Sequence, residues 1–231
     1  MTHKLNSQSW SLTFMMGAML FDALVPCNAQ PEVQAIPNAQ ASILDIKNKL
    51  EVGDVVFIRI PALPFKKVAS TTGSWTNHVG IVTDISGEEP VIAESRFPYS
   101  GKTTWSRFVG RSEAGRVAVS RLANPLDAKQ RIKLMHAVDE RQGIFYDTGF
   151  DLHSHRQFCS RYVREVLDEA VGVKLGEVED FSTLLKRNPE TDLTFWRVWY
   201  FGSIPWQRET VTPASLLQDA RLHVVFDGAV K

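Results

Sequence analysis

The sequence predicts an α+β domain, a small antiparallel sheet with helices packed on it. Three observations carry this. Short β-branched runs recur over residues 55–60, 77–85, 91–95 and 117–122, each bounded by turn residues. A strongly amphipathic stretch over residues 157–171 has apolar positions recurring at helical spacing. The composition, 44% apolar and 10% aromatic over 231 residues, is that of a globular chain with one domain and appendages, not a disordered one.

Residues 1–10 are polar, residues 11–26 are mostly apolar with Asp22 interrupting, and Cys27-Asn28-Ala29 follows. Residues 1–29 read either as a secretory signal or as an extension with no targeting role. The apolar run is shorter than the ~20 residues of a spanning helix. A cleaved signal would place the protein in the periplasm or outside the cell; otherwise it is cytoplasmic. Residues 30–41, rich in Gln, Pro, Ala and Asn, read as a linker, which leaves residues 42–231 as the domain.

Within the domain, residues 42–50 suit a short helix and Glu51 to Asp54 a turn. Residues 55–60 follow as a strand, and residues 61–74 read as a loop carrying Lys66 and Lys67. Residues 77–85 and 91–95 form a hairpin around a turn at 86–90. Residues 117–122 are a further strand, 127–142 a helix and 222–226 a final strand. The helix over 157–171 is the clearest element. Tyr162, Val163, Val166, Leu167 and Ala170 form its apolar face, and Gly172 stops it.

Net charge is zero, with 26 basic and 26 acidic side chains, which argues against nucleic acid as a partner. Two cysteines cannot build a disulfide framework or an all-cysteine zinc site, and Cys27 falls in the N-terminal segment. Cys159 remains. It lies at a helix start, where unpaired N–H groups and the macrodipole favour the thiolate. His78 opens a strand and is the best base. Gly80, on the same strand face, leaves room for another element such as a helix end to approach. If the hairpin turns near 86–89, opposed positions sum to roughly 172–174, which sets Glu94 beside His78 on one face, where a carboxylate would orient the imidazole.

Four segments in order carry a resemblance: Leu50 to Phe57 (LEVGDVVF), Asn77 to Val82 (NHVGIV), Val91 to Ser95 (VIAES) and Phe158 to Val163 (FCSRYV). Together they resemble the circularly permuted papain-like proteins of the NlpC-type cysteine peptidase and amidase superfamily, in which histidine precedes cysteine. Residues 74–78, 156–160 and 193–206 are similar to the YebB-like group in particular, near the YiiX and YaeF types. The resemblance covers about residues 42–226. It implies a thiol hydrolase or amidase with Cys159 as nucleophile, His78 as base and Glu94 as orienting group, and no cofactor. The substrate classes it leaves open are peptide or isopeptide bonds, and acylated small molecules or lipids handled by an acyltransferase or lipase-like enzyme. A non-catalytic binding module on the same fold is the remaining alternative, disfavoured by the intact trio.

Gln157, two residues before the cysteine, is a candidate oxyanion donor alongside the Cys159 N–H, with Asn77 and Tyr146 as further candidates. A His153/His155/Cys159 zinc set matches no standard spacing, so no metal is expected. The aromatics Phe195, Trp196, Trp199, Tyr200, Phe201 and Trp206 read as core, or as an apolar groove or membrane-facing patch for an acyl chain.

Overall fold

The computed structural model describes residues 40–231. The N-terminal signal or extension, Cys27 and residues 30–39 of the linker lie outside the described residues. In chain order the elements are β1 (Gln40–Ala41), α1 (Ile43–Lys47), β2 (Val55–Ile58), α2 (Leu63–Thr71), β3 (His78–Asp84), β4 (Val91–Glu94), β5 (Gly101–Thr104) and α3 (Trp105–Val109). They continue with β6 (Arg116–Leu122), α4 (Ala128–Glu140), α5 (Cys159–Val171), β7 (Glu179–Asp180), α6 (Phe181–Arg187), α7 (Leu193–Trp199), β8 (Glu209–Thr210), α8 (Pro213–Leu217) and β9 (Leu222–Val230).

One sheet organises the domain, in the order β1-β9-β6-β2-β3-β4-β5; it is antiparallel except where β1 runs parallel to β9. Gln40 and Ala41 therefore belong to the sheet rather than to the linker, because they pair with Ala229 and Val230. That pairing also extends the last strand to Val230, past the expected end at 226. Alternate β3 residues face opposite cores. Val79 and Ile81 pack with Tyr162, Val163 and Val166 of α5 on one face. Val82, with Val56 and Ile58 of β2, packs against Ile46, Trp105 and Phe108 on the other. Both faces are thus covered, which accounts for the nearly unbroken apolar runs of β2 and β3.

The helices end where the sequence signals ends. Asp127 caps α4 through a capping box with Gln130. Gly172 closes α5 in the left-handed conformation (φ +72°), where a side chain is disfavoured. Residues 61–74, expected to be a loop, contain α2. Pro64 sits in its first turn, where the missing N–H leaves no unmet bond, so proline starts this helix rather than breaking it. A satellite core of Phe181, Leu184, Trp196 and Ile204, with Val68 and Phe150 packed against it, forms where α6 and α7 lie over α2. The Trp196 indole donates to Thr71 Oγ1 (2.9 Å), and Lys67 Nζ pairs with Asp192 (2.6 Å), which ties α7 to α2.

Candidate active site

Cys159 is the first residue of α5 and is buried. Phe158, the N-cap, supplies no side-chain cap, so the N–H groups of the first turn are not spent on one. The hydrophobic face of α5 packs that helix on β3, and this packing holds its N-terminus against the start of the strand, where His78 is fully buried.

The His78 ring lies between two aromatic rings, Phe65 of α2 at 6.0 Å and Phe108 of α3 at 5.7 Å. Its Nε2 is 2.6 Å from Glu94 Oε2, and neither side chain has any exposure. Nδ1 is buried with no other hydrogen-bond partner among the described residues and is the nitrogen left for Cys159. The hairpin register explains the pairing. Ile81 opposes Ala93 and Val82 opposes Ile92, so positions sum to 174 and Glu94 lies across from Gly80. His78 and Glu94 meet on the diagonal, which long side chains can span. The space over Gly80 is taken by another element, as expected: a Cβ there would sit 2.8 Å from the Phe108 ring of α3 and 2.6 Å from Ile92 Cγ2.

Glu94 has a second partner that sequence reading missed. Arg111 Nη2 donates to both carboxylate oxygens at 2.8 Å, and its guanidinium stacks over Phe108 at 5.0 Å. Arg111 lies 17 residues from Glu94, in a loop after α3 with no periodicity to mark it.

The electrostatics follow from these contacts. Burial alone would depress the His78 pKa, but the Cys159 thiolate, as a charge and as a hydrogen-bond acceptor, and then Glu94, outweigh it and lift it to about 9. Burial pushes the Cys159 thiol up, yet the His78 charge and hydrogen bond, the Val79 N–H and the Tyr146 hydroxyl bring it below its ordinary value. Glu94 is likewise lowered against its burial by His78 and Arg111. Both shifts favour the thiolate–imidazolium form of the pair.

Of the three candidate oxyanion donors, the structure brings Tyr146 to the thiol. Its hydroxyl is within hydrogen-bonding reach of both Cys159 Sγ and the Cys159 N–H, and burial beside the thiolate raises its pKa well above the phenolic range. Gln157 does not reach the thiol, because its amide donates to Glu165 Oε2 (2.8 Å). Its backbone is held by Ser95, Phe145 and Asp147. Asn77 is likewise committed: its amide brackets Ile60, accepting from the N–H at 2.7 Å and donating to the carbonyl at 3.0 Å. The His153/His155/Cys159 set is not assembled, since His153 lies at the surface against Glu209 (2.7 Å) and Cys159 is buried.

An apolar cavity opens beside Cys159. Phe158 and Tyr146 form its near wall, and Val68, Leu184, Leu185 and Trp196 its far wall. Its atom-free space, the open mouth included, is about 640 Å³. The aromatic segment is therefore divided between roles: Trp196 and Tyr200 line the cavity, while Phe201 is fully exposed.

A helix that presents a thiol to a strand histidine, on an antiparallel sheet and with the histidine earlier in the chain, is the papain-like architecture in permuted order. The chain belongs to the permuted papain-like amidase family of YaeF/YiiX type (C92), whose family model matches residues 49–226. It is similar to the uncharacterized protein YiiX of Escherichia coli strain K12, 24% identical over 175 residues that span 76% of this chain and 85% of that one. The crystal structure of YiiX from Escherichia coli O157:H7, described as a metalloprotein, shares the fold. Its TM-score is 0.71 at 24% identity, covering 78% of this chain and 98% of that one.

Proposed function

We propose that the protein is a cysteine hydrolase that cleaves an amide, ester or thioester through an acyl-enzyme. The observation that carries this is the buried 2.6 Å bond from His78 Nε2 to Glu94, which orients the ring and leaves Nδ1 for a thiol at a helix start. The proton passes from Cys159 to His78 Nδ1, and the thiolate attacks the carbonyl carbon. The Cys159 N–H and the Tyr146 hydroxyl receive the charge that develops on the carbonyl oxygen. His78 returns its proton to the leaving amine or alcohol as the bond to carbon breaks. The neutral imidazole then takes a proton from water, whose oxygen attacks the thioester, and the acid departs with the thiol restored. An amine or hydroxyl acceptor in place of water would make the same acyl-enzyme a transferase.

The relative's description as a metalloprotein raises the question of a metal here. Among the described residues, His136, Glu140 and Glu169 bring ligand atoms within 4.8 Å of one another. All three are exposed, and Arg141 already holds a Glu169 oxygen at 2.9 Å. Glu169 lies ten residues beyond Cys159 on α5, ~15 Å along the axis. This set fits an ion-pair cluster better than a metal site, and no step is routed through it.

The test is intact-mass analysis after exposure to activated amides and acyl esters. A single acyl adduct on Cys159, abolished in Cys159→Ala and in His78→Ala, is expected. Adducts that persist in His78→Ala at the wild-type rate would overturn the assignment.

A further inference from the structure

We propose that a second, polar cleft, between α6 and the turn that joins α8 to β9, binds an uncharged ligand with hydroxyls on neighbouring carbons, a sugar ring or a linear polyol. The proposal is independent of the acyl-enzyme reading, because none of Cys159, His78 and Glu94 borders this cleft. Thr72, Leu184 and Thr212 line both the cleft and the cavity beside Cys159, so the two share a wall.

The cleft holds about 980 Å³ of atom-free space, its open mouth included. Two ion pairs of the same form line it. Arg187, at the end of α6, holds Glu179, and Arg221 holds Asp219 through Nε (2.8 Å) and Nη2 (2.5 Å). The carboxylate side chains are buried, 5% and 8% exposed, whereas the guanidiniums are 56% and 49% exposed. Each carboxylate is anchored from behind. Glu179 belongs to β7, paired with Thr210 of β8, and Asp219 accepts the Gly176 N–H (2.7 Å). The Arg221 guanidinium, helped by the Arg221 and Gly176 N–H groups, holds the Asp219 carboxyl down at about 2 against its burial, so this pair stays ionised. Both guanidiniums are therefore held in place at the rim with a nitrogen to spare. Arg187 Nε and Arg221 Nη1 have no protein partner among the described residues. The Glu177 and Gln218 side chains beside them are exposed and equally uncommitted.

These walls select against net charge. Three carboxylates face two guanidiniums that they already neutralise, so an anion finds no unbalanced positive field. A cation meets the two guanidiniums first, because the paired carboxylates lie behind them. A hydroxyl escapes both penalties, since it accepts from a guanidinium and donates to a carboxylate or amide oxygen at once. Bonds of that kind to ionised partners are about twice as strong as neutral ones. Hydroxyls on neighbouring carbons can span from Arg187 or Arg221 to Glu177 or Gln218, and Leu184 and Ala214 offer an apolar surface to the C–H face. Among the described residues no aromatic ring lines the cleft, so it has no platform for stacking a nucleobase.

The test is an amide NMR titration of the isotope-labelled full chain. The probes are ethylene glycol, glycerol, sorbitol and glucose, with inorganic phosphate and putrescine as charged counterparts. Saturable shifts confined to the surroundings of Gly176, Gln218 and Arg221 are expected, with affinity rising with the number of neighbouring hydroxyls. Tighter binding of glucose than of sorbitol would identify the ligand as a ring, and the reverse as an open chain. Gln218→Ala, at an exposed position, should weaken the binding about threefold, and Arg221→Gln, which leaves Asp219 its bond to Gly176, about tenfold. The Gln218→Ala spectrum away from the cleft should match the wild type, which keeps the comparison valid if Arg221→Gln loses its fold. Tighter binding of phosphate or putrescine than of either sugar or polyol overturns the proposal. So do shifts that fail to saturate, and so does wild-type affinity in Gln218→Ala together with folded Arg221→Gln.

Discussion

Removing the Cys159 sulfur should change the titration of His78 more than any other single substitution. The imidazole is raised from 6.5 to about 9, and among the forces that raise it the Cys159 thiolate comes first. That shift, about two and a half units, corresponds to about 3 kcal/mol in favour of the imidazolium. In Cys159→Ala, burial, the largest single influence and an opposing one, faces Glu94 alone. The pKa of His78 is therefore expected to fall well below about 9. A group with a raised folded pKa contributes stability that is complete below its unfolded value of 6.5 and lost as pH rises through about 9. Cys159, whose pKa is lowered, contributes in the opposite sense, as stability present above its unfolded value and lost as pH falls through the folded one. Between the unfolded His78 value of 6.5 and about 9 the two contributions oppose each other, so stability shows little net pH dependence there and the individual group is the proper readout. The assay is histidine NMR with isotope-labelled imidazoles, His78 being assigned by its loss in His78→Gln. In the wild type, ester turnover should decline as pH rises through about 9, where the imidazolium is lost, while thiol alkylation should not. A His78 pKa unaffected by removal of the sulfur would refute the ion pair.

Other consequences follow from the same contacts. Arg111→Met removes the donor shared by both Glu94 oxygens and leaves the buried carboxylate with His78 and the more distant Arg96 (3.5 Å); a loss of about 1–3 kcal/mol in chemical denaturation is expected, together with a shift in the pH profile of acylation that a purely structural role would not produce. Tyr146→Phe removes one of two oxyanion donors and should slow Cys159 acylation by about a hundredfold or more, with thermal unfolding little changed. Gly80→Ala drives a methyl into Phe108 and Ile92, and a melting experiment should register about 1–3 kcal/mol of destabilisation. Gln157→Ala, by contrast, should leave the pH profile of acylation in place, since its amide serves Glu165 and not the thiol.

The β3–β4 hairpin and the extents of α4 and α5 were legible in sequence because each rests on a local signal: strand residues flanking a turn, apolar residues at helical spacing, a glycine at a helix end. The His78–Glu94 pairing was legible for the same reason, while the place of Cys159 beside it was what the resemblance implied. A helix start and a short hairpin confine those residues to a few positions, and period-two geometry puts histidine and carboxylate on one face. The oxyanion candidates were harder. Gln157 was singled out by its nearness to Cys159 in the chain, but residue 157 precedes the helix, and its backbone pairs with Tyr146 in a bridge that turns the amide toward Glu165. That bridge carries Tyr146 to the thiol across 13 residues of chain, a contact that no spacing rule contains.

By itself, then, the sequence determined the main strands, the helices α4 and α5, the family resemblance and the hairpin that sets His78 and Glu94 on one face, because these depend on contacts close in the chain or on repeating patterns. Only the tertiary structure decided that Arg111 clamps Glu94, that Phe108 of α3 is what fills the space over Gly80, and that α2, α6 and α7 wall an uncharged cavity beside Cys159. Each of those is a meeting of segments far apart in the chain, selected by packing complementarity and charge rather than by any local preference.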